Sequence, residues 1–228
     1  MISKIITFGF LIALLMTSCI VYHPQTIDIP LIDKKGDLRI DAGISLIPSA
    51  HATVSYGLTD KIAVQTFGSI GSDERYYFQG AVGYFKDLGN NKVMELYGGF
   101  GSGYGSAYKD SNPGHLRGDY QLYFTQFNFG KIDCNFANMD YGIGIKTGYL
   151  HSNLTDRNYY KFYSEYGPFA TFKDNSILIE PNVFVRLGGK KLKFDLKIGS
   201  CWIHKFTNMD KYLPYSFINL GLGLNYRL

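Results

Sequence analysis

Few residues in this 228-residue chain could carry chemistry, and none of them is spaced for it. His115, His151 and His204 fall on connecting segments, and neutral imidazoles are good ligands for a zinc-like ion. No two of them have the close spacing of a metal motif. Asp110, Asp210 and His204 stand in segments that could form a rim, where acids and a histidine could activate water. A general base must lie within hydrogen-bond reach of that water, and nothing in these separations brings the three together. The glycine-rich run Gly98 to Gly105 invites a phosphate-loop reading. The third glycine of G-x-G-x-x-G is missing in every frame and no lysine follows, so small inward-facing residues explain the run better. Lys190, Lys191 and Lys193 have no aromatic platform between them, and turn solvation or anionic headgroups account for them without nucleic acid. The expectation is a chain with no catalytic residue, no metal ligand, no cofactor and no nucleic-acid partner, and hence not an enzyme.

Composition narrows the class. Aromatic residues make up 16% and charged residues 18% of the chain, with 26 glycines, three cysteines and a net charge of +4. So many aromatics with so little charge exclude a disordered chain. Three cysteines exclude a disulfide-dense scaffold, and only one N-terminal run is apolar enough to suggest a bilayer helix. Tyr, Phe and Gly without long apolar runs point to an all-β protein.

The N-terminus reads as an address. Lys4 precedes an apolar stretch from Ile5 to Met16, and Thr17-Ser18 leads to Cys19. The stretch is of signal-peptide length and short for a membrane span. It resembles a bacterial lipoprotein signal, with cleavage before Cys19 and lipid on its thiol; a plain secretory signal is the alternative. Residues 1–18 are then signal peptide, 19–35 a lipid-anchored N-terminal linker and 36–228 the folded domain. Cys134 and Cys201 are expected at opposite ends of that domain and unbridged.

From Leu38 onward the sequence counts in twos. Leu38, Ile40, Ala42, Ile44 and Leu46 alternate with Arg39, Asp41, Gly43 and Ser45, the pattern of a strand with one greasy and one polar face. Similar alternation marks segments at 50–58, 62–70, 76–84, 94–100, 120–129, 140–149, 177–187, 192–198 and 218–228. Ten strands are predicted, each about the 9–11 residues that a tilted strand needs to cross a bilayer.

Such alternation fits a soluble barrel with its apolar face inward or a membrane barrel with that face outward. Aromatics at the ends of apolar stripes (Tyr149, Trp202, Tyr226) suit membrane interfaces. The polar face is also unusually small. Glycines such as Gly99, Gly101, Gly142, Gly144 and Gly223 would leave room in a narrow lumen for charged side chains. The predicted lumen network comprises Arg39, Asp41, Glu95, Lys146, Glu180, Arg186, Lys193, Asp195 and Lys197. Within it Arg186 is expected beside Asp195, and Glu180 beside Lys197. Opposite charges at this density would plug the bore, since buried charges are tolerated only when paired. Connections alternate short (Thr59-Asp60, Asp87 to Asn91, Lys131 to Ala137, Gly188 to Lys191) and long (Ser106 to Asp119, His151 to Asn175, His204 to Leu213), with Pro48-Ser49 a tight exception on the long side. Short turns are periplasmic and long loops extracellular in outer-membrane barrels. The fold expected is therefore an up-and-down antiparallel transmembrane β-barrel of about ten strands.

The lipoprotein-like signal, the lead-in Pro30-Leu31-Ile32 with Lys35-Gly36-Asp37, the Tyr56 to Asp60 hairpin and the alternating last strand resemble small outer-membrane β-barrel proteins of Bacteroidota. The resemblance covers nearly all of the chain after the signal. It implies residence in the outer membrane, with lipid and the barrel-insertion machinery as partners. Members usually end on an aromatic residue, whereas this chain ends Tyr226-Arg227-Leu228. The resemblance also implies that surface-exported lipoproteins carry acids after the cysteine. Here Ile20, Val21, Tyr22 and His23 follow it, which implies an anchor on the periplasmic side.

The expected role is structural, or recognition of an external protein or glycan by Tyr159, Tyr160, Phe162, Tyr163 and Tyr166 in the longest loop. A narrow channel, an outer-membrane hydrolase and a soluble lipid-anchored ligand-binding barrel stand as alternatives.

Overall fold

Residues two apart share a strand face, and in the computed structural model of this chain that rule sorts apolar side chains outward and charged ones into a closed bore. The structure describes residues 21–22, 27–45, 47–72, 74–109, 114–134, 138–156, 170–206 and 215–228. Its segments are β1 (Leu38–Ser45), β2 (Ser49–Gly57), β3 (Ile62–Gly71), β4 (Tyr76–Asp87), β5 (Lys92–Lys109), β6 (Gly114–Cys134), β7 (Met139–Asp156), β8 (Ala170–Gly188), β9 (Leu192–Ser200), β10 (Trp202–Lys205) and β11 (Ile218–Arg227). β9 and β10 are one strand against β8, because Trp202 opposite Ile179 continues the register that sets Gly199 opposite Asn182. The interruption falls across from Pro181, which has no N–H to give to the ladder. Neighbouring strands pair antiparallel in chain order, and β1 pairs β11 to close a ten-stranded up-and-down barrel. Each of the ten segments read from alternation falls on one of its strands, to within a residue at the ends of those at β1, β2 and β11. Among the described residues no helix is long and apolar enough to cross a membrane, which leaves crossing by strands untouched.

Two mouths result. Residues 58–61, 88–91, 135–138 and 189–191 connect strands at one, the short-turn mouth. At the other, the wall is uneven. β1–β4 end in the tight connections 46–48 and 72–75, while the β5–β6 and β7–β8 hairpins rise much further.

Those hairpins correct the predicted loops. Pairing continues to Lys109 opposite Gly114, and to Asp156 opposite Ala170, so most of Ser106 to Asp119 and both flanks of His151 to Asn175 are strand. The reason is a reversal of polarity. In this upper part Tyr120, Leu150 and Leu154 face inward while Gln121, Asn153 and Lys173 face out. The alternation persists there with polar residues outward, where the sequence suggests long connections. The tyrosine-rich segment with Tyr159, Tyr160, Phe162, Tyr163 and Tyr166 lies outside the described residues, as do Cys19, Asp110 and Asp210.

Below this reversal lies a band of outward apolar residues, among them Ile44 (62% exposed), Val82, Leu96, Ile143, Leu196 and Leu222. On β7 the band runs from Tyr141 to Tyr149, eight residues apart. At about 3.4 Å per residue that is about 27 Å of strand, or about 20 Å of height at a tilt near 40°.

The largest departure from expectation concerns the lead-in. Residues 27–32, assigned from sequence to a linker, run inside the bore: Ile27, Ile29 and Leu31 are buried with Val93, Ile132 and Phe184, and Ile32 in the cluster that includes Ala63, Phe85 and Tyr97. Val21 and Tyr22 sit at the opposite end, where Tyr22 bridges Tyr215 and its ring meets Tyr120 edge-on. The chain therefore threads the barrel from the long-hairpin mouth to the short-turn mouth, where β1 begins.

Candidate functional site

The charged side chains of the bore form three groups, and the threaded segment takes part in each. At the short-turn mouth Arg227 reaches Asp33 (2.7 Å), Asp37 (3.0 Å) and Asp133 (3.5 Å). Arg39, only 1% exposed, lies 3.4 Å from Asp37 and 3.6 Å from Asp140. Lys193 donates to Asp133 at 2.7 Å and to Asp140. Asp33 and Asp37 belong to the lead-in, so these contacts tie its end directly to β1 and β11, and through Arg39 and Arg227 to Asp140 and Asp133.

The middle group is the densest. Arg186, fully buried, donates from Nε to Asp195 (2.9 Å), from Nη2 to Asp28 (2.9 Å) and from Nη1 to the Ile29 carbonyl (2.9 Å). Its guanidinium lies over the Phe184 ring, 4.3 Å from the centroid. Asp28, Asp41 and Asp195 bring carboxylate oxygens within 4.8 Å of one another, a donor set that could suit a divalent cation. Lys197 fills that role with its ammonium, 2.6 Å from Asp41 and 3.3 Å from each of the other two. His51 stacks on Phe67 and places Nε2 3.7 Å from Asp41.

Glu95, on β5, accepts from the Ile32 amide (2.7 Å), Asn128 (2.8 Å) and Tyr97 (3.3 Å). Leu31 just before it has a φ of 56°, a left-handed conformation that costs a non-glycine residue about 1–3 kcal/mol. The charge-assisted bond from the next amide helps hold that bend. Gln65 and Gln126 donate to the Asp28 carbonyl at 3.3 and 3.0 Å, so the threaded backbone finds partners on several strands.

The upper group joins Lys146 and Glu180, which are register partners on β7 and β8. Lys146 donates to Gln79 (3.0 Å) and lies 4.8 Å from the centroid of Phe124. Glu180 accepts from the Tyr22 hydroxyl at 2.9 Å. Above it the cavity bounded by Val21, Arg75, Tyr77 and Tyr120 measures about 10 Å³, room for no more than a water.

All nine predicted lumen residues face the bore and are buried. Arg186 and Asp195 are direct register partners, as expected. Glu180 and Lys197 are not neighbours: Lys197 stands opposite Phe184, and Glu180 works with Lys146 and Tyr22. Sequence reasoning missed Asp28, Asp33, Asp37, Asp133, Asp140, Arg227 and Tyr22. One signal was legible for Asp28, an acid set between Ile27 and Ile29 ahead of the first strand. The inward glycines also serve otherwise than expected. A Cβ at Gly101 would strike the Tyr77 ring, at Gly103 the Tyr120 ring and at Gly144 the Ile29 side chain. They make room for rings and for the threaded chain.

His151 and His204 are placed apart from any ligand cluster. His151 pairs with Asn175 at 2.6 Å, and His204 lies edge-on to Phe206. Cys134 and Cys201 are free thiols. The arrangement can hold charge, exclude water and fasten a segment. No protein-family model and no curated protein sequence matches this chain.

Proposed function

We propose that the protein is a non-enzymatic outer-membrane β-barrel lipoprotein, its bore filled by its own N-terminal segment, with a structural or surface-recognition role. The observation that carries this reading is the double reversal of polarity. Within the band bounded by Tyr141 and Tyr149 apolar side chains face out and ion pairs face in; above it Gln121, Asn153 and Lys173 face out, and Tyr120, Leu150 and Leu154 join Ser152 and Asp174 inside. A surrounding that is apolar at band height and aqueous above it would favour that distribution, because desolvated charges need partners while apolar surface seeks an apolar medium. The band height is close to the apolar belt of about 25 Å of outer-membrane barrels.

The tyrosine-rich segment 157–169 joins β7 to β8, the two strands of a tall hairpin, and its composition supports the recognition role. Tyrosine buries much area at low entropic cost and keeps a hydrogen-bonding tip. Replacing residues 157–169 with a tight turn is expected to leave the barrel folded and to abolish binding of whole cells to an external protein or glycan array. Unchanged binding across the array would reduce the segment to a cover.

Extraction tests the membrane reading. The protein is expected to remain with outer-membrane vesicles through an alkaline wash and to migrate faster on a gel before boiling than after. Release by the wash would overturn it. Purified protein in planar bilayers is expected to give no steady ohmic current, and a large stable conductance would favour the channel alternative.

A further inference from the structure

Granting that the apolar band faces a bilayer, we infer that Lys86, Lys92 and Lys131 form a binding site for the phosphate headgroup of an anionic phospholipid, in the leaflet at the short-turn mouth. With short turns facing the periplasm, that is the periplasmic leaflet. The inference rests on the membrane reading and gives the outer wall a specific ligand.

Register brings the three side chains onto one patch. Lys92 on β5 stands directly opposite Lys131 on β6, and Lys86 on β4 stands opposite Met94, two residues along β5 from Lys92. Directly opposed residues hold their Cβ atoms about 4.5–5.5 Å apart, and diagonal ones about 7–8 Å. All three lysines point outward, because their chain neighbours Phe85, Val93 and Ile132 are buried in the bore. Like charges set opposite one another destabilise a sheet unless something neutralises them. The acids of the same turns are engaged elsewhere. Asp87 accepts from the Gly89 amide at 2.8 Å, and Asp133 is held by Lys193 at 2.7 Å and by Arg227 at 3.5 Å. Among the described residues no acid forms an ion pair with any of the three lysines.

Depth names the ligand. Lys131 is the register partner of Tyr141, which bounds the apolar band at this mouth. From there into the band the outward strip runs through Met94, Phe129 and Leu96, the last two exposed. A lysine at the edge of such a strip lays its stem on apolar surface and keeps its charge among the headgroups. An anionic phospholipid meets both features at once. Its acyl chains lie on the strip, and its phosphate accepts charge-assisted hydrogen bonds from the ammonium groups. Beside Lys131 an open depression of about 460 Å³, lined also by Asn90, Asn91, Asp133 and Cys134, leaves room for the rest of the headgroup. A zwitterionic headgroup brings its own cation and leaves the lysine charge uncompensated. Lys34, Lys35 and Lys190 are exposed on connections at the same mouth, outside the paired wall, and carry equal charge without a register neighbour.

The test uses the purified full chain in nanodiscs that mix phosphatidylcholine with phosphatidylglycerol. Native mass spectrometry of the released protein counts retained lipid, and amine acetylation in the disc reports the exposure of each lysine. Retention of phosphatidylglycerol over phosphatidylcholine is expected, with Lys86, Lys92 and Lys131 protected relative to discs of phosphatidylcholine alone. Lys86→Gln, Lys92→Gln and Lys131→Gln together are expected to weaken phosphatidylglycerol retention by more than about tenfold, at about fivefold per lysine near an anionic surface. The control triple Lys34→Gln, Lys35→Gln and Lys190→Gln is expected to change it by less than about twofold, since its lysines have no paired neighbour. Heat-modifiable migration checks that both variants fold. No preference in the wild type, or equal loss in both triples, overturns the site and leaves the membrane reading standing. Lysine-dependent retention of lipid A above phosphatidylglycerol in matched discs overturns the choice of ligand and leaflet. Release of the wild type from vesicles by an alkaline wash overturns the membrane reading and the inference with it.

Discussion

Arg186→Met is expected to destabilise the barrel by about 3–5 kcal/mol, the cost of breaking a buried ion pair from one side. The guanidinium satisfies Asp195, Asp28 and the Ile29 carbonyl at once, each at 2.9 Å. Removing it leaves two carboxylates with only Lys197 between them, in a site where water has no access. The loss divides between wall and threaded segment. Asp195→Leu in the same chain should recover part of it, since an apolar pair of similar volume avoids the orphaned charge. A double-mutant cycle by denaturant titration in lipid vesicles measures the coupling, with a value well above 1 kcal/mol expected for groups in contact. A single-mutant loss within about 1 kcal/mol would mean that the network contributes little to holding the barrel.

Leu222→Arg is expected to cost about 2–4 kcal/mol in a bilayer, and Ile218→Arg on the same strand about 0–1 kcal/mol. Both side chains point outward, 44% and 56% exposed, so neither change disturbs packing in the bore. They differ in depth. Leu222 pairs across to Ile44 and Leu196 within the band, whereas Ile218 is the first residue of β11, at the long-hairpin edge. Arginine near the edge can extend its stem and keep its charge in the headgroups, and at mid-band it cannot. The same titrations in vesicles give both values. Equal small costs would show that the band does not face lipid.

The two predictions draw on different layers of legibility. That Leu222 and Arg186 lie on opposite sides of the wall could be read from sequence. Leu220, Leu222 and Leu224 alternate with Gly221, Gly223 and Asn225, and two residues per repeat is a property of the extended backbone itself. The strand count, the in-register pair Arg186 and Asp195, and the inward position of all nine predicted charges follow from the same local rule together with a short turn at 188–191. The upper hairpins obeyed the rule as well. They were obscured because the outward positions there are polar, Gln121, Asn153 and Lys173 among them, so an apolar stripe no longer marks the outer face.

Alternation along a strand therefore determined the strands and the division of each into an apolar and a polar face, since these depend on residues next to one another in the chain. Only the tertiary structure decided which charges meet and what fills the bore. Lys197 faces Asp41, 156 residues away, because strand tilt and closure set diagonal neighbours across strands that the sequence cannot order by distance. The segment Ile27 to Ile32 has too few residues to declare a period, and its alternating apolar pattern suits a linker, an edge strand or a core alike. It becomes a threaded core only in a closed barrel whose Gly144 leaves space for Ile29, whose Arg186 receives the Ile29 carbonyl and whose Glu95 receives the Ile32 amide. Those partners come from three strands far along the chain. A backbone taken from water must find every hydrogen bond in the wall that encloses it, and no stretch of sequence contains that wall.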